Sequence, residues 1–163
     1  MTTPRWRAVL GAAVAAIAVA ALGASATDLG PWYQSLVKPS WQPPDWLFGP
    51  AWTLIYALAA LSCGLAWAAA RDKRSRTWIV TLFALNALLN VSWSELFFGL
   101  QRPDWALAEV GVFWLSILLL IVVLRRYSKT ASWLLVPYLA WVTFAAILNL
   151  AVVRLNYPFH APA

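Results

Sequence analysis

Residues 105–124, WALAEVGVFWLSILLLIVVL, form a run of 20 residues in which Glu109 is the single charged side chain. A helix needs about 20 mainly apolar residues to cross the hydrocarbon core of a bilayer, so this run predicts a membrane-spanning helix. It lacks the alternating pattern over about ten residues that is typical of membrane β-barrel strands. Because the backbone in hydrocarbon must satisfy its own hydrogen bonds, a helix is the structure that remains.

The rest of the chain has the same character. Hydrophobic residues make up 63% of the 163 residues and charged residues 11%. An ordinary soluble domain has roughly 45–50% and about 25%, so this composition excludes both a soluble globular domain and a disordered chain. The net charge of +6 lies in short clusters between apolar runs, and this pattern does not indicate nucleic-acid binding. We therefore predict an all-α integral membrane protein without a nucleic-acid partner.

Charged clusters divide the chain into five runs that are each long enough to cross a bilayer once. We predict one domain, residues 1–163, built as a bundle of five transmembrane helices whose short connections make neighbours antiparallel. The predicted spans are residues 8–27, 46–70, 77–100, 104–124 and 131–154. The first span also resembles a secretory signal peptide that ends in Ala24-Ser25-Ala26. Its length, and the four-residue spacing of Ala12, Ala16 and Ala20, favour a retained helix that another helix approaches closely.

The distribution of Lys and Arg predicts the orientation. The N-terminus and the loops 71–76 and 125–129 carry nine of them, whereas the opposite side carries three. The positive-inside rule therefore predicts a cytoplasmic N-terminus and places the first loop, residues 28–45, on the outer face. This first loop holds four prolines among Trp and Tyr residues, so we expect it to be ordered, largely non-helical and seated over the bundle. An interfacial aromatic belt is the alternative.

Three of the spans carry aromatic or amide side chains at helical spacing, so that each set falls on one face. The sets are Trp52, Tyr56 and Cys63; Asn86, Asn90, Trp93 and Phe97; and Tyr138, Trp141, Ala145 and Asn149. An amide in hydrocarbon needs a hydrogen-bond partner, so these faces are expected to point into the bundle. They predict either an aromatic pocket for a large flat apolar ligand or plain core packing.

Residue types that most enzymes need are missing from the predicted bundle. The sequence has no phosphate loop, no CxxC and no HExxH, its one histidine is His160, and its one methionine is Met1. These absences argue against a catalytic triad, a metal site and a haem held by axial ligands, so we expect no metal and no covalently bound cofactor. Glu109 could pair with Arg102 or Arg154, and Glu95 lies near the end of its span.

Several motifs follow one another in a fixed order. They are Trp32-Tyr33-x4-Lys38-Pro39-x-Trp41-x-Pro43-Pro44, Phe48-x3-Trp52-x3-Tyr56, Asn90-x2-Trp93-x3-Phe97 and Pro137-Tyr138-x2-Trp141-x7-Asn149. This order resembles the tryptophan-rich sensory protein / translocator protein family, also called the peripheral benzodiazepine receptor or TspO/MBR family. The resemblance covers about residues 32–156. It implies a retained N-terminal helix and a five-helix bundle, usually a homodimer, with a ligand cavity under the first loop.

The resemblance also implies a function and a site. It implies a receptor or transporter-like protein for tetrapyrroles, such as protoporphyrin IX and haem precursors, with a role in porphyrin regulation or stress sensing. Sterols and benzodiazepine-type drugs are further ligands that it implies, with membrane lipid around the bundle. The implied pocket residues are Tyr33, Trp41, Phe48, Trp52, Tyr56, Asn90, Trp93, Tyr138, Trp141, Ala145 and Asn149. We expect the bacterial inner membrane as the location.

Two other functions stay open at this point. Trp52 and Trp141 match the tryptophans that the family uses in light-dependent breakdown of protoporphyrin, so the chain could be a degrading enzyme with these two catalytic residues. A structural or partner-binding membrane protein, in which the aromatic residues are only core, is the third hypothesis. The sequence departs from the family at residues 150–154, which lack the tyrosine of the mammalian cholesterol motif, and at Glu95, where many members have an apolar residue or proline.

Overall fold

The computed structural model describes residues 5–159, so His160 lies outside the described residues. Its helices are α1 (Arg5–Ala26), α2 (Pro31–Ser35), α3 (Phe48–Ala69), α4 (Lys73–Ser94), α5 (Pro103–Leu124), α6 (Lys129–Trp133) and α7 (Val136–Asn156). Five of these helices are long and apolar enough to cross a membrane, and the described residues contain no β-strand. The prediction of an all-α membrane protein with five spans is therefore confirmed.

The ends of the helices follow from local chemistry. Asp72 caps α4, because its carboxylate accepts hydrogen bonds from the backbone N–H of Ser75 at 2.8 Å and from the Ser75 hydroxyl at 2.7 Å. These bonds hold the pKa of Asp72 below its ordinary value. Pro103 is the first residue of α5. The N–H that proline lacks would have no partner within the helix at this position, so proline costs no hydrogen bond there.

The fifth predicted span, 131–154, contains two helices rather than one. The short α6 ends at Trp133, and α7 begins at Val136 with Pro137 in its first turn. The ring of a proline clashes with the carbonyl four residues earlier, which here belongs to Trp133. The third span also changes near its end, because α4 continues into a π-helical turn over Glu95–Gly99 that turns Phe97 into the core.

The helices pack unevenly, and this leaves room inside the bundle. The largest buried cluster lies along α5, where Ile117, Leu120 and Leu124 are fully buried against the neighbouring helices. On the other side, α1 packs mainly on α3 and approaches it most closely at Gly64, where an added methyl group would lie 2.7 Å from the Cα of Val9. Between these two contacts, the space enclosed by α1, α3, α4 and α7 is only partly filled.

The first loop is fixed to the bundle at several points. After α2, residues 36–44 of the first loop contain neither helix nor strand. A 3₁₀ turn over Asp45–Leu47 then leads into α3. The side-chain amide of Asn156, at the end of α7, accepts from the N–H of Val37 and donates to its carbonyl, both at 2.8 Å. The loop is thereby held across the loop-side end of the bundle.

Candidate functional site

A cavity of about 560 Å³ lies beneath the first loop, between α1, α3, α4 and α7. We call it the loop-side cavity. Nine of the eleven predicted pocket residues line it, namely Tyr33, Phe48, Trp52, Tyr56, Asn90, Trp93, Trp141, Ala145 and Asn149. Most residues of the faces that helical spacing predicts on α3, α4 and α7 therefore line one space, whereas Cys63, Asn86 and Tyr138 of the same faces do not line it.

Trp41 and Tyr138 are the two predicted residues outside this lining. Trp41 lies on the outer side of the first loop, 49% exposed, with its ring edge-on to Phe144. Tyr138 is buried one helical turn below Trp141 and packs edge-on against Trp52 at a centroid distance of 6.1 Å. Its hydroxyl donates to Oδ1 of Asn86 at 3.1 Å, so Tyr138 supports the wall from behind.

The aromatic rings of the loop-side cavity hold one another in place. Trp52 stacks on Tyr56 with centroids 5.5 Å apart and meets Trp141 edge-on at 6.5 Å. On the opposite side, Trp93 stacks on Phe97 at 5.2 Å. Offset-stacked and edge-on pairs are the arrangements that aromatic side chains prefer, and they orient these rings without help from a ligand.

A polar cluster of first-loop residues forms the roof of the cavity. The hydroxyl of Tyr33 donates to Oδ1 of Asp45 at 2.8 Å, and Nε2 of Gln42 donates to both of these oxygens, at 3.1 and 3.2 Å. Burial, and then the hydrogen bond to Asp45, raise the pKa of the Tyr33 phenol far above its ordinary value. Lys38 completes the cluster, with its Nζ 3.7 Å from the centroid of the Tyr33 ring.

Sequence reasoning identified Tyr33 but not the polar residues around it. Gln42 and Asp45 share no helical or strand period with Tyr33, and the loop conformation alone brings them together. The one available signal was their place within a proline-rich segment, since prolines restrict the chain and favour a fixed loop conformation.

The amides in the spans have different roles. Asn90 accepts a hydrogen bond from the Tyr56 hydroxyl at 2.7 Å on the floor of the loop-side cavity. Asn86 donates to Ser116 at 2.8 Å and so joins α4 to α5. The amide of Asn149, on α7, lies within hydrogen-bond distance of the first turn of α5, 3.0 Å from the carbonyl oxygen of Pro103 and 3.1 Å from the backbone nitrogen of Leu107. The inward direction predicted for these amides is correct for all three, and each of them meets a residue of a neighbouring helix.

A second cavity of about 640 Å³ lies between α1, α3 and α4, on the side of the bundle away from the first loop. Tyr56 and Asn90 line both cavities, so their hydrogen bond stands at the boundary between them. Cys63 also lines the second cavity, as do Ala12 and Ala16, whereas Ala20 lines the loop-side cavity. The alanine row of α1 therefore faces space inside the bundle, which the sequence did not reveal.

The two membrane acids lie outside both cavities. Glu95 is exposed at the end of α4, and the two carboxyl oxygens of Glu109 are buried without a hydrogen-bond partner among the described residues. Neither of the two pairs considered for Glu109, with Arg102 or with Arg154, forms among the described residues, and Arg102 pairs with Asp104 instead. Residues 5–159 contain no group of three His, Cys, Asp or Glu side chains that could hold a metal ion.

Comparison with known proteins shows which sequences this chain is similar to. The model of the TspO/MBR family matches residues 9–155. The chain is 42% identical to the tryptophan-rich protein TspO of Archaeoglobus fulgidus, over 88% of this chain and 92% of that protein. It is 42% identical to the protein of the same name from Chlorobaculum tepidum, over 77% and 79%, and 33% identical to the human translocator protein, over 77% and 75%.

Proposed function

The chain belongs to the TspO/MBR family of membrane proteins, and from this premise we propose that it binds tetrapyrroles such as protoporphyrin IX in the loop-side cavity. In this proposal it is a receptor or transporter-like protein with a role in porphyrin regulation or stress sensing. The observation that carries the proposal is the wall of the cavity, to which Trp46, Trp52, Trp93 and Trp141 all contribute. Flat aromatic faces around an enclosed space suit a flat conjugated ring.

The mode of binding follows from the residues that line the cavity. Among the described residues, its lining contains no His, Met or Cys, which are the usual axial ligands of a haem iron. A tetrapyrrole would therefore be held by stacking and by shape, so the metal-free ring should bind as well as a metallated one. Sterols and benzodiazepine-type molecules are other apolar ligands that the same wall could accept.

Titration with protoporphyrin IX in the dark tests the proposal. The purified full-length protein is titrated in detergent or nanodiscs, and binding is followed by the porphyrin absorbance and by quenching of Trp fluorescence. Ala145→Phe places a ring inside the loop-side cavity and should weaken binding at least about tenfold, a loss of about 1.4 kcal/mol or more. Ala140→Phe, on the exposed face of the same helix, is the matched control and should bind as the wild type does.

The outcome distinguishes binding from the purely structural hypothesis. If the wild type does not bind protoporphyrin, or if Ala145→Phe and Ala140→Phe bind it equally well, the proposed site is wrong. In that case the aromatic residues are core, and a structural or partner-binding role is favoured. A homodimer and a location in a bacterial inner membrane belong to the same proposal and need their own measurements.

A light-dependent degrading enzyme is the second candidate function. The observation that favours it is the contact between Trp52 and Trp141, whose ring centroids lie 6.5 Å apart with both side chains in the wall of the loop-side cavity. A bound porphyrin would lie against two oxidisable indoles, which could donate an electron to the excited ring or to reactive oxygen formed from dissolved O2 under light. Oxygen would be the oxidant that breaks the ring, and this electron transfer needs no metal and no acid–base pair. Binding and degradation share this site, and degradation requires the indoles themselves.

A further inference from the structure

The two charged side chains that line the loop-side cavity differ in whether they have a polar partner. Among the described residues that line it, Lys38 and Asp45 are the charged side chains. Asp45 is already engaged, because Tyr33 and Gln42 both donate hydrogen bonds to its carboxylate. Lys38 forms no salt bridge with any residue in the range 5–159, where the ion pair found is that of Arg102 with Asp104. The cavity therefore has a cation in its wall that forms no salt bridge with a carboxylate of the described chain.

The position of this cation is fixed by its neighbours. The ammonium of Lys38 lies over the face of the Tyr33 ring at 3.7 Å, and that ring is held by the hydrogen bond from its hydroxyl to Asp45. The backbone just before Lys38 is held as well, through the two hydrogen bonds between Val37 and Asn156. An ammonium has three N–H donors, and one aromatic face does not use them all.

We propose that Lys38 binds a carboxylate of the ligand at the roof of the loop-side cavity, and so selects flat apolar molecules that carry acidic side groups. This inference rests on the proposed function and names the chemical class of its ligand. The conjugated ring lies between the aromatic walls while an acid group on its edge meets the ammonium. A neutral ligand of the same shape would cover the ammonium without giving it a partner, and burying an unpaired charge is unfavourable.

A comparison of one porphyrin with its ester tests this inference. Dissociation constants are measured in the dark for protoporphyrin IX, which has two carboxylates, and for its dimethyl ester, which has the same ring and none. The wild type should bind the acid about tenfold more tightly than the ester, as expected for one charge-assisted contact at a partly exposed site. This preference should shrink as salt is added, because salt screens the ion pair.

Three variants locate the preference. Lys38→Met keeps the aliphatic stem and removes the charge, so the acid should bind only as well as the ester, while affinity for the ester should stay the same or rise because no unpaired charge is buried. Lys38→Arg keeps the charge and should keep most of the preference. Lys73→Met lowers the net charge by the same amount, but at the exposed start of α4 and away from the cavity. This variant should behave as the wild type does.

The failures are distinguishable. Equal binding of acid and ester by the wild type would overturn the role of Lys38 and leave the proposed porphyrin site intact. Equal losses for acid and ester in Lys38→Met would show that Lys38 only supports the first loop, and would overturn the selection of acids as well. If the wild type binds neither porphyrin, the proposed function itself is wrong.

Discussion

At the scale of single residues, Trp52 is a cavity ring held by three other aromatic side chains. It stacks on Tyr56, meets Trp141 edge-on, and rests on Tyr138, which is itself fixed to Asn86. A ring with so many contacts should keep its position when a ligand enters. Indole is also the most easily oxidised apolar side chain in the cavity, so under the proposed function Trp52 and Trp141 would have two separate roles, stacking on the porphyrin and donating an electron.

Replacing the indoles by phenyl rings separates these two roles. Phe keeps most of the stacking surface, and an aromatic pair contributes about 0.5–1.5 kcal/mol beyond burial. We therefore expect Trp52→Phe and Trp141→Phe to bind protoporphyrin IX within several-fold of the wild type in the dark. Under illumination, both variants should lose most of the light-dependent bleaching, measured as the decay of porphyrin absorbance with time.

The control for this experiment is Trp105→Phe, which removes an exposed indole of α5 outside both cavities. It should bleach the porphyrin as fast as the wild type does. Equal bleaching by the wild type and the double variant Trp52→Phe/Trp141→Phe would contradict the enzymatic hypothesis and leave the binding proposal standing. Loss of dark binding in both single variants would show instead that the indoles are packing elements.

Some features of the site could be predicted from the sequence and others could not. Helical spacing correctly predicted that Tyr138 and Trp141 share a face of α7, but it contains no information on depth. Whether each ring lines the cavity or lies beneath it depends on how far α7 is shifted along α3, which only the packed structure defines. The roof escaped prediction for a related reason, since Gln42 and Tyr33 meet through an irregular loop without a period.

At the scale of helices, charged clusters predicted most ends to within a few residues, because desolvated charges are costly in hydrocarbon. The fifth predicted span began at residue 131, whereas the structure divides that region at Leu134 and Leu135, just before Pro137, into α6 and α7. An apolar run does not reveal such a break by its hydropathy. The second cavity could not be predicted either, because its volume depends on the separation of α1 from α4.

The contact between α1 and α3 gives a prediction at this scale. A methyl group on Gly64 would lie 2.6 Å from Cγ2 of Val9 and 2.7 Å from its Cα, and the backbone cannot move aside as a flexible side chain does. We expect Gly64→Ala to force the two helices apart and to destabilise the fold by about 1–3 kcal/mol, the usual effect of overpacking. Thermal unfolding in detergent, followed by circular dichroism, measures this as a lower Tm.

Gly111→Ala is the matched control, because this glycine lies in the interior of α5 and a methyl group there meets nothing within 4 Å. Removing a glycine from a helix gains roughly 0.5–1 kcal/mol, so the control should be neutral or slightly stabilised. A Tm for Gly64→Ala equal to or above that of Gly111→Ala would contradict the close approach of α1 to α3.

At the scale of the whole molecule, the distribution of charge bears on how the bundle sits in its membrane. The connection between α3 and α4 and the segment before α6 are rich in Lys and Arg, whereas the first loop and the end of α7 carry few. The positive-inside rule then predicts that the loop-side cavity opens toward the outer face and the second cavity lies nearer the cytoplasm. A ligand would reach the roof residue Lys38 from outside.

Labelling of single cysteines in intact cells tests this orientation. The native Cys63 is first replaced by alanine, which removes the one cysteine of the chain. Ser40→Cys in the first loop and Thr130→Cys in α6 then place exposed thiols at opposite ends of the bundle. A membrane-impermeant maleimide added outside should label Ser40→Cys and leave Thr130→Cys unlabelled, because the cation-rich face is retained in the cytoplasm. After permeabilisation both variants should react. If Thr130→Cys alone is labelled in intact cells, the predicted orientation is wrong, and a ligand would enter from the opposite side.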